Sequence, residues 1–485
     1  MKVLFVTSEL SPWVKTGGLA DVAAALPEAL HAAGIDVRIL VPAYPALKAA
    51  FPAAPMQAAI PALPPHPHGA ALRLAQSAGG VPLYLLECDA WFDRPGNPYL
   101  GTKGQDWPDN GARFALLARV SALLAGSRTP LDWRPDVLHC NDWQTGLAPA
   151  YLHYLPQPPQ AVTVMTVHNL AFQGLFDHAL LQTTGLPERA WAIDGVEYHG
   201  YLSYLKAGLQ FAEAITTVSP TYAREIQTPA EGMGMDGLLR YRKASLHGIL
   251  NGIDTAQWNP RKDPHIDTRY SARTLALKEA NTTALRRELG LDDAPDMPLL
   301  GVISRLTEQK GLDLVAALAE ELAALPVQLA VLGSGARTLE TAFTDLAERY
   351  QGQFAVRIGF DDGLAHRIEA GADMFLMPSR FEPCGLNQLF SLRYGTPPIV
   401  RATGGLADTV IDATDVQHGN GFVFTATTAE ALLATIQRAV DTWHERKRWR
   451  QLQRHGMARD SSWENPAQQY AELYRSLIPT TGGLV

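Results

Sequence analysis

The hexapeptide Thr16-Gly17-Gly18-Leu19-Ala20-Asp21 occurs twice in this chain, returning as Thr403-Gly404-Gly405-Leu406-Ala407-Asp408. In both places a Thr-Gly-Gly turn opens an apolar helical run. The first turn of a helix leaves backbone N–H groups without intrahelical partners, which suits a phosphate or another oxyanion. Glycine allows the positive φ and close backbone approach that a Cβ obstructs. One such turn is an ordinary helix entry. Two of them in opposite halves predict two nucleotide-fold domains facing one cleft.

The hydrophobic pattern agrees. Short, β-branched-rich, nearly all-apolar runs at 3–7, 37–41, 81–87, 137–139, 162–167 and 215–218 alternate with helical segments such as 110–125 and 203–214. Strands covered on both faces read this way, so the fold class is α/β, doubly wound, with parallel sheets. The pattern restarts after Asn251-Gly252-Ile253-Asp254, with strands expected at 299–303, 327–332, 354–358, 374–377 and 398–400. The expected division is therefore a Rossmann-like domain over 1–250 and a second over 251–462. An amphipathic helix within 463–485, anchored by Trp463, is expected to pack back on the first. The Pro- and Ala-rich stretch 53–69 reads as an exposed connection.

At 485 residues the chain is too long for one hydrophobic core. Its formal net charge of −8 argues against nonspecific nucleic-acid binding. The three cysteines (Cys88, Cys140, Cys384) lack metal-ligand spacing, and an odd, sparse set suits a reducing compartment. No apolar run approaches the ~20 residues of a membrane span. A cytoplasmic enzyme is expected.

Several residues stand where open α/β sheets bind ligands, at the carboxyl ends of strands. Arg305 and Lys310 flank the turn after the 299–303 strand and could clamp a diphosphate, Arg as a fork and Lys as a point charge. Glu382 follows the 374–377 strand and could accept hydrogen bonds from sugar hydroxyls or from helix N–H groups. Cys384 reads as a packed small hydrophobe. His168 and Asp142 end strands of the first half; with Asp21, Asp142 offers two carboxylates that serve equally well as helix caps. The Gly333-x-Gly335 pair would need a third glycine at Thr338, so a dinucleotide fingerprint fails. Zinc-protease, nucleophile-elbow and P-loop motifs do not occur.

These residues resemble the bacterial glycogen synthases and plant starch synthases, from Lys2 through Ile478. The matching motifs are Lys15-Thr16-Gly17-Gly18-Leu19-Ala20-Asp21, Thr166-Val167-His168-Asn169-Leu170, Leu250-Asn251-Gly252-Ile253-Asp254, Ser304-Arg305-Leu306 with Gln309-Lys310-Gly311-Leu312-Asp313, and Arg380-Phe381-Glu382-Pro383-Cys384-Gly385-Leu386. The resemblance implies the GT-B architecture and transfer of glucose from ADP-glucose to the 4-hydroxyl of an α-1,4-glucan (glycogen), with retention and without metal or other cofactor. It assigns the donor diphosphate to Arg305, Lys310, Gly404 and Gly405, with Lys15 and Gly18 reaching it from the other domain, and it counts Cys384 among the donor-binding residues. Glu382, His168 and Asn251 would border the glucose. Asp142, Asp21, Thr16 and Tyr99 would lie near it or near the acceptor, and Phe360 would stack on the base.

Two positions depart from related glycosyltransferases. Phe390 stands eight residues after Glu382, where a second glutamate is frequent. Phe360 stands where a tyrosine occurs, keeping stacking and losing a hydroxyl. Transfer to another acceptor such as maltose or a lipid-linked sugar, and a catalytically silent glucan-binding protein, are the competing readings.

Overall fold

The computed structural model describes residues 1–156 and 158–479. The chain divides into two compact units: Met1–Asn251 together with the segment from Trp463 onward, and Gly252–Ser462. Residues 480–485, part of the expected terminal helical segment, lie outside the described residues.

The first unit is built on a nine-stranded sheet. Its strands are β1 (Lys2–Val6), β2 (Asp36–Pro42), β3 (Met56–Ile60), β4 (Ala70–Gln76), β5 (Pro82–Glu87), β6 (Val137–Asn141) and β7 (Val162–Val167). Three short strands, β8 (Leu175–Asp177), β9 (Glu197–Tyr198) and β10 (Tyr201–Ser203), form a separate small sheet. β11 (Ala214–Thr217) and β12 (Leu246–Gly248) complete the large one, in the order β12-β11-β7-β6-β1-β2-β5-β4-β3. Every pairing in it is parallel except the two that β4 makes. Val3, Phe5, Val37, Val137 and Leu138 are fully buried, as strands covered on both faces require.

The chain builds outward from β1 in one direction, then returns to add β6, β7, β11 and β12 on the other side. This places a topological switch between β1 and β6, where α/β sheets open a crevice at the strands' carboxyl ends. The terminal helix Glu464–Leu477 packs into this unit: Tyr474 OH lies 2.7 Å from His139 Nδ1 on β6, and Trp463 joins the unit's core.

The second unit holds a six-stranded, wholly parallel sheet: β13 (Leu299–Ile303), β14 (Gln328–Gly333), β15 (Phe354–Ile358), β16 (Met374–Met377), β17 (Pro398–Arg401) and β18 (Phe422–Phe424). Their order, β15-β14-β13-β16-β17-β18, puts the switch between β13 and β16.

One expectation needs correcting. The stretch 53–69, read as an exposed connection, contains the edge strand β3, whose residues are mostly exposed. An outer strand buries too little apolar surface to leave a hydrophobic signature. β12, at the opposite edge, escaped the pattern for the same reason; β18 escaped it although Phe422 and Phe424 are buried, because a three-residue run is too short to stand out.

Candidate active site

In the second unit, three loops meet at the β13/β16 switch. Arg380 N–H donates to Gln309 O (2.8 Å), and Asn387 Nδ2 donates to Ile303 O (2.6 Å). Gly311, at φ +67°, lies so close to Pro378 that a Cβ would run into the Pro378 carbonyl. The loop after β13 is thereby pressed onto the loop after β16. Arg380 reinforces this with a two-pronged ion pair to Asp313, at 2.5 and 2.6 Å.

The result is a direct contact between two of the sequence-derived candidates. Lys310 Nζ donates to Glu382 Oε2 at 2.6 Å, with the side chains 18% and 7% exposed. Ser379 Oγ donates to the same oxygen at 2.9 Å. Lys310 and Glu382, expected to hold a phosphate and a sugar respectively, hold each other here. Arg305 stands exposed on the same β13 loop.

The turn after β17 completes the arrangement, with a correction. Gly405 N–H, expected to point at an anion, donates instead to Glu382 O and Pro383 O, at 3.2 and 3.1 Å. Gly404, at φ +44°, would drive a Cβ into Glu382 O, and one on Gly405 would strike Cys384 O. The glycines therefore let the 403–405 turn lie against the backbone that carries Glu382. Cys384 is buried, as a packed small side chain. Phe360 is on another loop, after β15, and is 79% exposed. Phe390 stacks on Trp258 (ring centroids 3.8 Å apart, 13° between planes), in the core rather than at a binding surface.

In the first unit, the residues after β1, β6 and β7 converge at the β1/β6 switch. Glu9, which the motifs did not single out, organises one side. Its buried carboxylate accepts from Thr16 N–H (2.6 Å), Thr16 Oγ1 (2.5 Å), Gly17 N–H (3.3 Å) and Tyr99 OH (2.7 Å). The N–H groups of Thr16 and Gly17 are thus bound to a carboxylate of this chain, and Gly18 opens the helix Gly18–Ala32. Burial raises the Glu9 carboxyl above its ordinary value despite the hydrogen bonds from Thr16 and Tyr99. The one available signal was position: Glu9 closely follows the central strand on which the sheet turns. Tyr99, also hydrogen-bonded to Ser8 Oγ (2.8 Å), faces this carboxylate. Lys15 pairs with Asp21 at 2.8 Å, so these two candidates neutralise one another.

On the other side, Asp142 Oδ1 accepts from His168 N–H (2.7 Å), and His168 Nε2 lies 2.9 Å from Asn141 Oδ1. Asn141 Nδ2 in turn donates to Val6 O (2.9 Å), tying the ends of β6 and β7 to β1. Asp142 itself adopts φ +54°, a left-handed conformation that is uncommon outside glycine. Asn251 is buried, and its Oδ1 has no hydrogen-bond partner among the described residues.

Burial pushes the Asp142 carboxyl up to about 7 and the His168 imidazole down to about 3. Asp142 in the folded protein therefore keeps a proton that the unfolded chain sheds near 3.8. Its stabilising contribution is full below that value and is lost as pH rises through about 7, amounting to at most about 4 kcal/mol. His168 acts in the opposite sense, since the unfolded chain binds its proton below about 6.5. The two nearly cancel in the parent protein. Asp142→Asn removes only the first, so its Tm relative to the parent should climb as pH rises from 4 to 7. A pH-independent Tm difference in thermal scans would place an ordinary carboxylate at this position.

Residues 2–241 match the starch synthase catalytic domain, and residues 284–455 match glycosyl transferases group 1. The chain is 58% identical over 484 residues to a glycogen synthase of Dechloromonas aromatica, covering 99% of each. It is 50% identical to that of Nitrosomonas europaea, covering 98% of each.

The chain belongs to the glycogen and starch synthase family.

Among solved structures of the family it resembles the catalytic domain of starch synthase IV from Arabidopsis thaliana bound to ADP and acarbose. The TM-score is 0.88 and the identity 31%, over 98% of this chain and 99% of that one. A sucrose-phosphate synthase from Thermosynechococcus elongatus shares the fold at TM-score 0.60 and 18% identity, over 98% of each chain. The architecture is that of the GT-B glycosyltransferases, and the chain is a glycosyltransferase of the glycogen synthase family. No helix among the described residues is long and apolar enough to cross a membrane.

Proposed function

We propose that this protein elongates glycogen in the cytoplasm. In this reading it transfers glucose from ADP-glucose to the terminal 4-hydroxyl of an α-1,4-glucan, with retention and with no metal at the reacting phosphates. The observation that carries the reading is the Lys310–Glu382 pair at the β13/β16 switch, whose lysine shares the loop after β13 with the exposed Arg305. A nucleotide sugar reacts by losing its diphosphate, and negative charge accumulates on the departing oxygen. Two cations fixed there stabilise that charge, as a metal ion does in other transferases. When Lys310 turns to the phosphate, Glu382 is left to accept hydrogen bonds from the glucose hydroxyls while Ser379 keeps it in place.

Retention follows from attack on the face the diphosphate leaves. A phosphate oxygen takes the proton of the acceptor hydroxyl as the new glycosidic bond forms. Glu382 is held by Lys310 and Ser379, which suits a binding role better than a nucleophilic one. Within the first unit, Asp142, His168 and Asn251 are assigned to the glucan end, and Glu9 sets the shape of the Lys15–Gly18 loop. The ADP held by the plant relative supports adenine as the base. Phe360 is the stacking partner, so Phe360→Ala should raise KM for the donor about 5- to 10-fold with little change in kcat. Initial rates across donor concentration check this, and an unchanged KM would take Phe360 out of the site.

The reading is tested by offering ADP-glucose and UDP-glucose, radiolabelled in the sugar, with glycogen, maltose or a lipid-linked sugar as acceptor. Transfer from ADP-glucose to glycogen is expected. Preference for UDP-glucose would overturn the base, and preference for another acceptor would overturn the glucan. Glycogen binding with no incorporation would indicate a silent glucan-binding protein.

A further inference from the structure

His265, Asp362 and His366 take no part in the chemistry above, yet their ligand-capable atoms all lie within 4.8 Å of one another. We propose that they form a binding site for a divalent transition cation of the zinc type, in the second unit and separate from the glucosyl-transfer chemistry.

The fixed member is His366, whose side chain is 1% exposed. Its Nδ1 lies 2.7 Å from Asp263 Oδ2, and Tyr394 OH donates to the same oxygen at 2.5 Å. Asp263 Oδ1 accepts the His265 N–H at 2.8 Å, so one buried carboxylate positions both histidines. The indole of Trp258 lies flat on the His366 ring (3.8 Å, 7° between planes) and is backed by Phe390. The departure from the glutamate found in related transferases thus has a use here: Phe390 closes a three-ring stack that fixes the imidazole plane.

A carboxylate on Nδ1 selects the tautomer with its proton on that nitrogen and leaves a lone pair on Nε2. That Nε2 is buried and has no hydrogen-bond partner among the described residues. Asp362 Oδ2 lies 4.0 Å from it, and Asp362 and His265 are both accessible to solvent. A lone pair, a carboxylate and a second imidazole converging on one point repel one another unless a cation lies between them. Arg367, the nearest cation on the same helix, directs its Nε and Nη2 to the two oxygens of Glu288 at 2.7 Å.

The arrangement of carboxylate, imidazole and then metal is the one by which proteins orient histidine ligands. Two imidazole nitrogens and one oxygen suit zinc, nickel or copper better than magnesium or calcium. A tetrahedral zinc bonds such ligands at about 2.0–2.2 Å, which places them about 3.4 Å apart. The two surface side chains close that distance by rotating inward while His366 stays still. Bound metal would tie the 263–265 turn to the first turn of the helix Asp362–Gly371, just beyond Phe360.

The test uses the full chain without an affinity tag, stripped with a chelator and then titrated with Co²⁺. We expect one Co²⁺ per chain with the intense visible absorption of a four-coordinate site, displaced by Zn²⁺, and a Tm that rises with Zn²⁺. The double variant His265→Gln/Asp362→Asn changes only accessible side chains. It should keep parental glucose transfer and lose both the absorption and the Zn²⁺-dependent Tm rise. Absence of stoichiometric binding by the parent, or undiminished binding by the double variant, would overturn the proposal. So would a Tm that Zn²⁺ leaves unchanged but Asp362→Asn lowers, the signature of a His366–Asp362 ion pair.

Discussion

Lys310→Ala is expected to abolish nearly all glucose transfer, with kcat falling about 10³-fold, the scale of losing one preorganised charge at a developing oxyanion. The same substitution strands Glu382, which is 7% exposed and would keep Ser379 as its side-chain partner. Removing one member of a buried ion pair costs about 3–5 kcal/mol, and partial exposure of Lys310 puts this case at the lower end. Activity and folding therefore have to be separated. Glu382→Gln does so, because its amide oxygen still accepts from Lys310 and Ser379. It should keep a Tm near the parent's while kcat falls at least 10²-fold, as the neutral amide binds the sugar hydroxyls more weakly. Initial rates and a thermal scan on both variants check this. Turnover within a few-fold of the parent in Lys310→Ala would remove the cation from the mechanism.

Glu9→Ala should be nearly as damaging, although Glu9 belongs to none of the recognisable motifs. Its carboxylate accepts four hydrogen bonds that shape the turn leading into the helix Gly18–Ala32. Without it, the N–H groups of Thr16 and Gly17 lose their acceptor, at about 1 kcal/mol for each hydrogen bond because water reaches the exposed Thr16. The loop carrying Lys15 and Gly18 then loses its defined position, and misplacement of that size costs about 10² in kcat/KM. Tyr99→Phe removes one of these four bonds together with the contact to Ser8 Oγ, and should cost about 1–2 kcal/mol with a modest kinetic effect. If Tyr99→Phe proved as damaging as Glu9→Ala, Tyr99 would be touching substrate rather than steadying Glu9. Steady-state kinetics with both substrates, alongside Tm, distinguish the two.

The α/β class was legible because doubly covered parallel strands leave unbroken apolar runs, as at Lys2–Val6 and Gln328–Gly333. The edge strand Met56–Ile60 was not, since most of its residues face water and carry no such run. The residues at strand ends were also legible, because their position in an open sheet already marks them. How they satisfy one another was hidden. Lys310 and Glu382 are 72 positions apart, and only the fold shows that they bind each other. The glycine turns were read as anion cradles, yet Glu9 takes the N–H groups of Thr16 and Gly17, and Gly405 donates to the Glu382 and Pro383 carbonyls. Sequence position indicates which group can donate; the packed backbone decides what it donates to.

The most direct test of the central claim is to incubate the enzyme with ADP-glucose and glycogen in excess chelator and determine the anomeric form of the newly added sugar by NMR. Retaining transfer driven by Arg305 and Lys310 predicts α-1,4-linked glucose at an undiminished rate. A β-linked product, or incorporation that stops until a divalent ion is restored, would contradict it.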